Sequence, residues 1–223
     1  MIIVSMALLG VVCLILGVFD AIFRDKDNWV GFVVRSLTSL FLAIYALITI
    51  NLLSTFNAFS LFIAIAMMIN LFYTSATKSK IENDQAKKLV CGISESLVYF
   101  AIGLGIISLA PFNIFALVGG LLLGGAIALL ILAIQVKKKN NVADVITTIL
   151  IFVSLGFVLG FGINAIVNTK HLISAIISII AGVLLLTSNL LNEFLKEGKL
   201  KQILCTILQN LVFIALVVSI YLY

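Results

Sequence analysis

Two charged side chains interrupt long apolar runs of this sequence and could carry chemistry there. Arg35 is the seventh residue of a run that begins near residue 29, and Glu95 lies seven residues after Lys88. If the runs are membrane helices, each charge lies roughly 10 Å from a helix end, and a charge at that depth is a functional hypothesis by default. Arginine can hold a phosphate, and a carboxylate can act as a general base or pair with an ammonium group.

Uncharged polar residues occupy corresponding positions in three other apolar runs. Gln209 lies eight residues after Lys201, and Ser75 and the pair Ser188-Asn189 lie near the ends of their runs. At the helical rise per residue, Gln209 would lie at roughly 12 Å depth. Polar side chains from five runs are therefore expected at one depth.

Two interpretations of these polar residues at one depth are open. Arg35 and Glu95 could form a structural ion pair, while the other polar residues reach toward the interface. Alternatively, all of them line a polar cavity that opens to the cytoplasm or the inner leaflet. Convergence of five runs on one depth favours the cavity, because an isolated ion pair would not need amides beside it. A low-dielectric pocket with an arginine, a carboxylate and amides suits an anionic or zwitterionic lipid head group.

The elements that must position these residues are membrane helices. Hydrophobic residues make up 63% of the 223 residues and charged residues 10%, against about 25% charged in soluble domains. A helical span needs about 20 apolar residues, whereas barrel strands would alternate over roughly ten. We predict an all-α, polytopic protein, a single membrane domain of residues 1–223 with eight transmembrane helices. The runs lie near 3–23, 29–50, 57–77, 88–108, 112–136, 143–166, 172–194 and 201–222.

Basic residues predict the orientation of these spans. Twelve lysines and arginines fall in the four loops that follow the odd-numbered runs, and only Lys170 falls on the other side. The positive-inside rule places these four loops in the cytoplasm and both termini outside. We expect a multi-pass protein of a bacterial-type plasma membrane. Loop charge also explains the net charge of +5 without a nucleic-acid partner.

An internal repeat organises the chain. Residues 87–101 match residues 201–215 at six of fifteen positions, at a constant offset of 114 without a gap. The same offset pairs Glu95 with Gln209 and Ser75 with Asn189. We therefore predict repeats 1–110 and 115–223. Four spans in each copy make the copies parallel, unlike the inverted repeats common in transporters.

The remaining residues offer no cofactor or metal chemistry. The three cysteines, Cys13, Cys91 and Cys205, lie within apolar runs without a metal-binding spacing. His171 is the single histidine, and no phosphate loop or dinucleotide fingerprint is present. We expect no cofactor and no metal.

Several of these runs resemble the YhhN family, the membrane lysoplasmalogenases. AGVLLLTSNLL resembles the family's seventh-helix motif and places Ser188 and Asn189 on its Ser-Asp. TILQNLV resembles the eighth-helix motif and places Gln209 on its glutamine. VVRSLTSLFL resembles the lysine-proline-leucine motif of the second helix and places Arg35 on its basic residue.

The resemblance extends to the third and fourth spans, but an aspartate of the family is replaced there. Ser75 stands where the family carries the aspartate of a Gly-Asp pair, and Glu95 falls near its histidine. Asn189 takes the place of the aspartate in the seventh-helix Ser-Asp pair, so both family aspartates are replaced. Serine and asparagine can hydrogen-bond water but cannot take its proton at neutral pH.

The resemblance implies eight spans and hydrolysis of a lysoplasmalogen, in which water adds across the vinyl ether to release a fatty aldehyde and the glycerophospho head group. Glu95, Asn189 and Ser75 would be the catalytic candidates. Arg35, Gln209 and Ser188 would bind the substrate, a lysophospholipid-like membrane lipid. Either Glu95 serves as the base, or the chain is a non-catalytic lipid-binding, transport or interaction protein on the same fold. The oligomeric state stays open.

Overall fold

A computed structural model describes residues 2–23, 57–78, 83–135, 141–195 and 198–223, with single positions or short stretches between 30 and 44. Every element in this part of the chain is helical, which confirms the all-α prediction. Seven helices have defined bounds: α1 (Ile2–Phe23), α2 (Ala58–Lys78), α3 (Asp84–Ile107), α4 (Ile114–Gln135), α5 (Val142–Asn168), α6 (Leu172–Phe194) and α7 (Lys199–Tyr221).

These helices are those of a multi-pass membrane protein. Five of them, α3 to α7, are long and apolar enough to cross a membrane, and α1 and α2 contain the shorter apolar stretches Leu8–Phe23 and Ala58–Thr74. Most of the predicted run at 29–50 lies outside the described residues, so the number of eight spans stays a prediction. The end of the bundle where α2 and α6 finish and α3, α5 and α7 begin is called the predicted cytoplasmic end below.

Four helices form a closed ring at the centre of the bundle. Helix α2 packs against α3, α3 against α6, α6 against α7, and α7 against α2. Each contributes a fully buried aliphatic side chain to one core cluster: Ile63, Ile102, Leu185 and Leu216. Helix α5 packs on α3 and α6, α1 packs on α7, and α4 packs on α5. The polar side chains of interest therefore have to be placed within, or against, a tightly packed ring.

The ring contacts agree with the predicted repeat, and the outer contacts differ from it. An offset of 114 residues maps α2 onto α6 and α3 onto α7, so each contact of the ring maps onto another contact of the ring. It also maps the contact of α1 with α7 onto one between α4 and α3, but among the described residues α4 contacts α5 instead. The duplication stays a prediction.

Glycines set the position of α4. A Cβ atom on Gly120 would collide with the backbone oxygen of Gly156, and one on Gly160 would collide with that of Ala116. The two backbones approach so closely because no side chain separates them, a packing mode typical of membrane helices. Most of the remaining surface of α4 is exposed.

Candidate functional site

Glu95 is a buried carboxylate in the helical bundle. It lies on α3, which begins at an N-cap where the Asn83 side chain accepts hydrogen bonds from the backbone N–H groups of Gln85 and Ala86. Eleven residues further along the helix, Glu95 is 2% exposed. A charge buried in a membrane helix is expensive unless it is hydrogen-bonded, so the partner of this carboxylate matters.

A tyrosine one turn along α3 supplies that partner. The Tyr99 hydroxyl donates a hydrogen bond of 3.0 Å to Glu95 Oε1, and Tyr99 itself is 0% exposed. Residues four apart share one face of a helix, so both side chains enter the interior together. A hydrogen bond to an ionised acceptor is stronger than one between neutral groups.

The aromatic side chain of Tyr99 lies in the interior of the four-helix ring. Its edge is close to Gly182 of α6, where a Cβ atom would be 3.8 Å from two carbons of the tyrosine ring. Tyr73 of α2 is also buried and lies near enough to Tyr99 to interact with it electrostatically. Tyr99 therefore lies against α6, and its electrostatic surroundings include a buried tyrosine of α2.

Gln209 occupies the corresponding position on α7 but has a different partner. It is 6% exposed, and its Nε2 donates a hydrogen bond of 3.4 Å to Thr77 Oγ1 on α2. Thr77 Oγ1 in turn donates to the Thr74 carbonyl at 2.9 Å. Helices α3 and α7 stand at opposite corners of the ring and do not contact each other among the described residues.

The remaining predicted site residues have separate outcomes. Ser188 is buried on α6, and its hydroxyl has no hydrogen-bond partner among the described residues. Its carbonyl accepts a hydrogen bond of 3.7 Å from Cys205 Sγ on α7. Asn189 is half-buried one residue further on. Ser75 has a helical backbone within α2, but its side chain lies outside the described residues, and so does Arg35 entirely. The predicted pairing of Arg35 with Glu95 therefore stays a prediction.

Sequence reasoning missed Tyr99, Tyr73 and Thr77. Tyr99 lies within the apolar run of α3. An aromatic residue in such a run is usually interpreted as a core residue or a lipid-facing one. Two signals could have found it. It lies four residues after Glu95, and a buried tyrosine hydroxyl usually finds a hydrogen-bond partner.

A second polar contact joins α1 to α7. Asn210 is buried, and its amide nitrogen lies where a Cβ atom of Gly17 would be. This nitrogen has no hydrogen-bond partner in the part of the chain that the structure describes. The methyl group of Thr206 lies beside the same glycine, and Asp20 is buried one turn further along α1. Gly17 allows the two helices to approach, because any side chain there would collide with the Asn210 amide.

An ion pair holds the starts of α3 and α5 together at the predicted cytoplasmic end. Lys88 Nζ lies 2.8 Å from Asp144 Oδ1, with the two side chains 59% and 24% exposed. Asp144 Oδ2 also accepts a hydrogen bond of 3.3 Å from the Asn141 backbone N–H at the start of α5. An exposed pair of this kind contributes about 0–1 kcal/mol, so it marks the helix ends rather than a reaction site.

Within the described ranges, no three His, Cys, Asp or Glu side chains cluster in a way that could hold a metal ion. None of the three cysteines forms a disulfide bond. The chemistry that the described site can perform is therefore that of one carboxylate, phenols, hydroxyls and amides. Comparison of the chain with models of known families, with curated proteins and with solved structures finds no match.

Proposed function

We propose that this chain is an integral membrane protein that binds the head group of a membrane lipid in a polar site around Glu95. The observation that carries the proposal is the contrast between Glu95 with Tyr99 on α3 and Gln209 with Phe213 on α7. Both pairs are buried at positions 114 residues apart. The ring thus accommodates a neutral pair at this position, so packing alone does not require the carboxylate. A costly buried charge that packing does not need is best explained by function.

The side chains around Glu95 suit the cationic part of a zwitterionic head group. A carboxylate pairs with an ammonium group, and the faces of Tyr99 and Tyr73 can attract a cation when water is excluded. On other helices of the ring, the amide of Gln209 and the hydroxyl of Ser188 can hydrogen-bond to glycerol or phosphate oxygens. Arg35 would bind the phosphate if its depth in the second span is as predicted. A lysophospholipid-like lipid combines these groups with a single acyl chain.

In the catalytic form of this proposal, Glu95 is the general base for vinyl-ether hydrolysis. One water adds across the double bond of a lysoplasmalogen, and the resulting hemiacetal breaks into a fatty aldehyde and the glycerophospho head group. Glu95 would take a proton from the water whose oxygen adds to the carbon that bears the ether oxygen, and the Glu95 carboxyl group would give a proton to the neighbouring vinyl carbon, so that no net proton is gained or lost. The Tyr99 hydroxyl would hold the carboxylate in place. Asn189 and Ser75 would orient the water by hydrogen bonds.

A non-catalytic lipid-binding protein is the second candidate, and two observations favour it. Ser75 and Asn189 replace the two carboxylates of the family that the motifs resemble. The Tyr99 hydroxyl already engages one oxygen of Glu95. Such a site can recognise a head group without activating water.

Lipid analysis and a hydrolysis assay separate the candidates. We expect one class of zwitterionic lysophospholipid to be enriched in the purified protein over its host membrane, and Glu95→Gln to lose this enrichment while the protein still folds. Thr187→Ala is the control, because this threonine on α6 is exposed and its described hydrogen bond is to the carbonyl of Val183 in its own helix. Unchanged enrichment in Glu95→Gln would refute the proposed site.

The hydrolysis assay then tests catalysis on lysoplasmalogen in mixed micelles. Aldehyde release by the native protein and not by Glu95→Gln would establish the enzyme. An inert native protein that gains aldehyde release from Ser75→Asp plus Asn189→Asp would identify the native chain as a binding protein on a hydrolase scaffold.

In the proposed topology, eight spans form two parallel repeats of four, and both termini lie outside. It rests on the distribution of basic residues, and single cysteines in a cysteine-free background can test it. We expect Asn140→Cys to react with an impermeant maleimide only from the cytoplasmic side of the membrane, and Asn168→Cys only from the outside. The reverse pattern would move the Glu95 site to the outer half of the membrane.

A further inference from the structure

A cavity of about 410 Å³ lies between α4 and α5, at the end of the bundle opposite the predicted cytoplasmic end. Its floor is formed by Gly119, Gly120 and Gly160. Apolar side chains that include Phe115 and Ile163 form its walls. Volumes of about 300–1,000 Å³ are typical of sites for small organic ligands.

One end of the cavity is built from asparagine amides. Asn164 is 9% exposed; its Oδ1 accepts hydrogen bonds from Asn113 Nδ2 at 3.4 Å and Asn168 Nδ2 at 3.1 Å, and its Nδ2 donates to the Pro111 carbonyl at 3.0 Å. This network holds the amides of Asn113 and Asn168 in place, and within the described ranges no group donates a hydrogen bond to Asn168 Oδ1. An amide nitrogen carries two hydrogens, so Asn113 also retains one donor.

The lining contains no charged side chain. It offers hydrogen-bond donors and acceptors at one end and an apolar channel from Phe115 to Leu123 along α4, a length of roughly 12 Å. Because both helices are long and apolar enough to span a membrane, and most of α4 is exposed, the cavity is open to lipid.

We propose that this cavity binds an uncharged, single-chain lipid, with its ester or hydroxyl group on Asn113 and Asn168 and its acyl chain on the glycine floor. The site is separate from that around Glu95, which lies halfway along α3 and does not line the cavity. It does not depend on the function proposed there. An anionic or cationic head group would gain no ion pair in this cavity, so the uncharged lipid should be preferred.

Two glycines of α4 provide a matched pair of variants. A Cβ atom on Gly119 or on Gly125 would meet no heavy atom within 4 Å, so both positions have open space for the start of a side chain. Of the two, Gly119 lines the cavity. Gly119→Val therefore adds a side chain at the cavity, and Gly125→Val adds the same side chain to the same helix elsewhere.

The test uses the full chain in phosphatidylcholine nanodiscs with a monoacylglycerol that carries a diazirine on its acyl chain. We expect saturable photolabelling of α4 and α5 peptides, which excess unlabelled monoacylglycerol competes away. Gly119→Val should reduce this labelling about tenfold, and Gly125→Val should leave it within about twofold. Asn168→Ala should reduce labelling by the monoacylglycerol more than labelling by a diazirine fatty acid, which is anionic at neutral pH.

Three results would overturn the proposal: labelling that does not saturate, equal labelling of the Gly119→Val and Gly125→Val proteins, or stronger labelling by the fatty acid than by the monoacylglycerol. A change from dimer to monomer in Gly119→Val, measured by mass photometry, would instead assign the cavity to a contact between two copies of the chain and would also overturn it.

Discussion

On α3, Glu95 and Tyr99 enter the bundle one helical turn apart, and on α7 the positions 114 residues later hold Gln209 and Phe213. All four side chains are buried, with exposed fractions between 0% and 6%. The correspondence continues along both helices, since Val98 and Val212, Ile102 and Leu216, and Ile106 and Ile220 are also buried pairs at the same offset. The two helices thus share a packing pattern and differ in the chemistry at one level.

The difference lies in how each polar group is satisfied. Glu95 accepts a hydrogen bond from Tyr99 in its own helix, whereas Gln209 donates to Thr77 of a neighbouring helix. A carboxylate can only accept hydrogen bonds when ionised, and an amide can do both. Phe213 has no hydroxyl to offer, so the α7 pair could not support a carboxylate in the same way. Packing of the four-helix ring is thus compatible with an amide and a phenylalanine on α7, whereas α3 has a carboxylate and a tyrosine hydroxyl in their place.

Removal of the two aromatic rings should give the largest effects. Tyr99→Ala and Phe213→Ala each leave a cavity at a fully buried position, at a cost of about 3–5 kcal/mol in the free energy of unfolding. Tyr99→Ala should cost about 1–3 kcal/mol more, because it also removes a hydrogen bond to the Glu95 carboxylate. Reversible unfolding in mixed detergent micelles measures both values.

Phe115→Ala is the control for these two variants, because Phe115 is 82% exposed on α4 and its loss should change the free energy of unfolding little. A greater loss from Phe213→Ala than from Tyr99→Ala would contradict the distinction between the two helices.

An exchange of charge between the helices should give the next largest effects. Gln209→Glu places a carboxylate on α7 without a tyrosine beside it, and a charge in the centre of a membrane helix costs about 3 kcal/mol. Adding Phe213→Tyr to Gln209→Glu should recover about 1–3 kcal/mol of that loss, because it recreates the α3 pair. The same unfolding assay checks the order of the three proteins. If the second substitution recovers nothing, the hydroxyl is not what makes a carboxylate tolerable in this ring.

The smallest effect should come from a single hydroxyl. Tyr99→Phe keeps the ring and removes the hydrogen bond to Glu95, with an expected loss of about 1–3 kcal/mol. The double variant Glu95→Gln with Tyr99→Phe gives α3 the same pair as α7, and we expect it to be more stable than Tyr99→Phe alone. A double-mutant cycle measures the coupling between the two positions. Strict additivity would show that the contact between Tyr99 and Glu95 contributes nothing to stability.

Much of the helical character could be predicted from single segments. Runs of about 20 apolar residues with few charges predict membrane helices by length, because a helix satisfies its own backbone hydrogen bonds in lipid. Buried positions on α3 and α7 agree with the repeat that the sequence offset predicts. The polar level was also visible, since Glu95 and Gln209 stand out against apolar neighbours, and both are buried as expected.

The arrangement of the helices could not be predicted in this way. Both α4 and α7 are long and apolar enough to cross a membrane. Helix α7 nevertheless belongs to the central ring, and α4 lies outside it, against α5. Lipid is as apolar as a leucine side chain, so hydrophobicity does not distinguish a helix face that contacts protein from one that contacts lipid. Close contact between Gly120 and Gly156 decides the position of α4, and it depends on the fit of two surfaces.

Segment length and the cost of a charge in lipid are properties of each segment alone, so the order of residues was enough to predict membrane helices with a carboxylate and amides buried among them. The packed helices were needed to show that Tyr99 donates a hydrogen bond to Glu95, that Gln209 donates one to Thr77, and that asparagines close one end of a cavity between α4 and α5. Hydrogen bonds and cavities depend on distances of a few ångströms between side chains, which the order of residues along each helix does not specify.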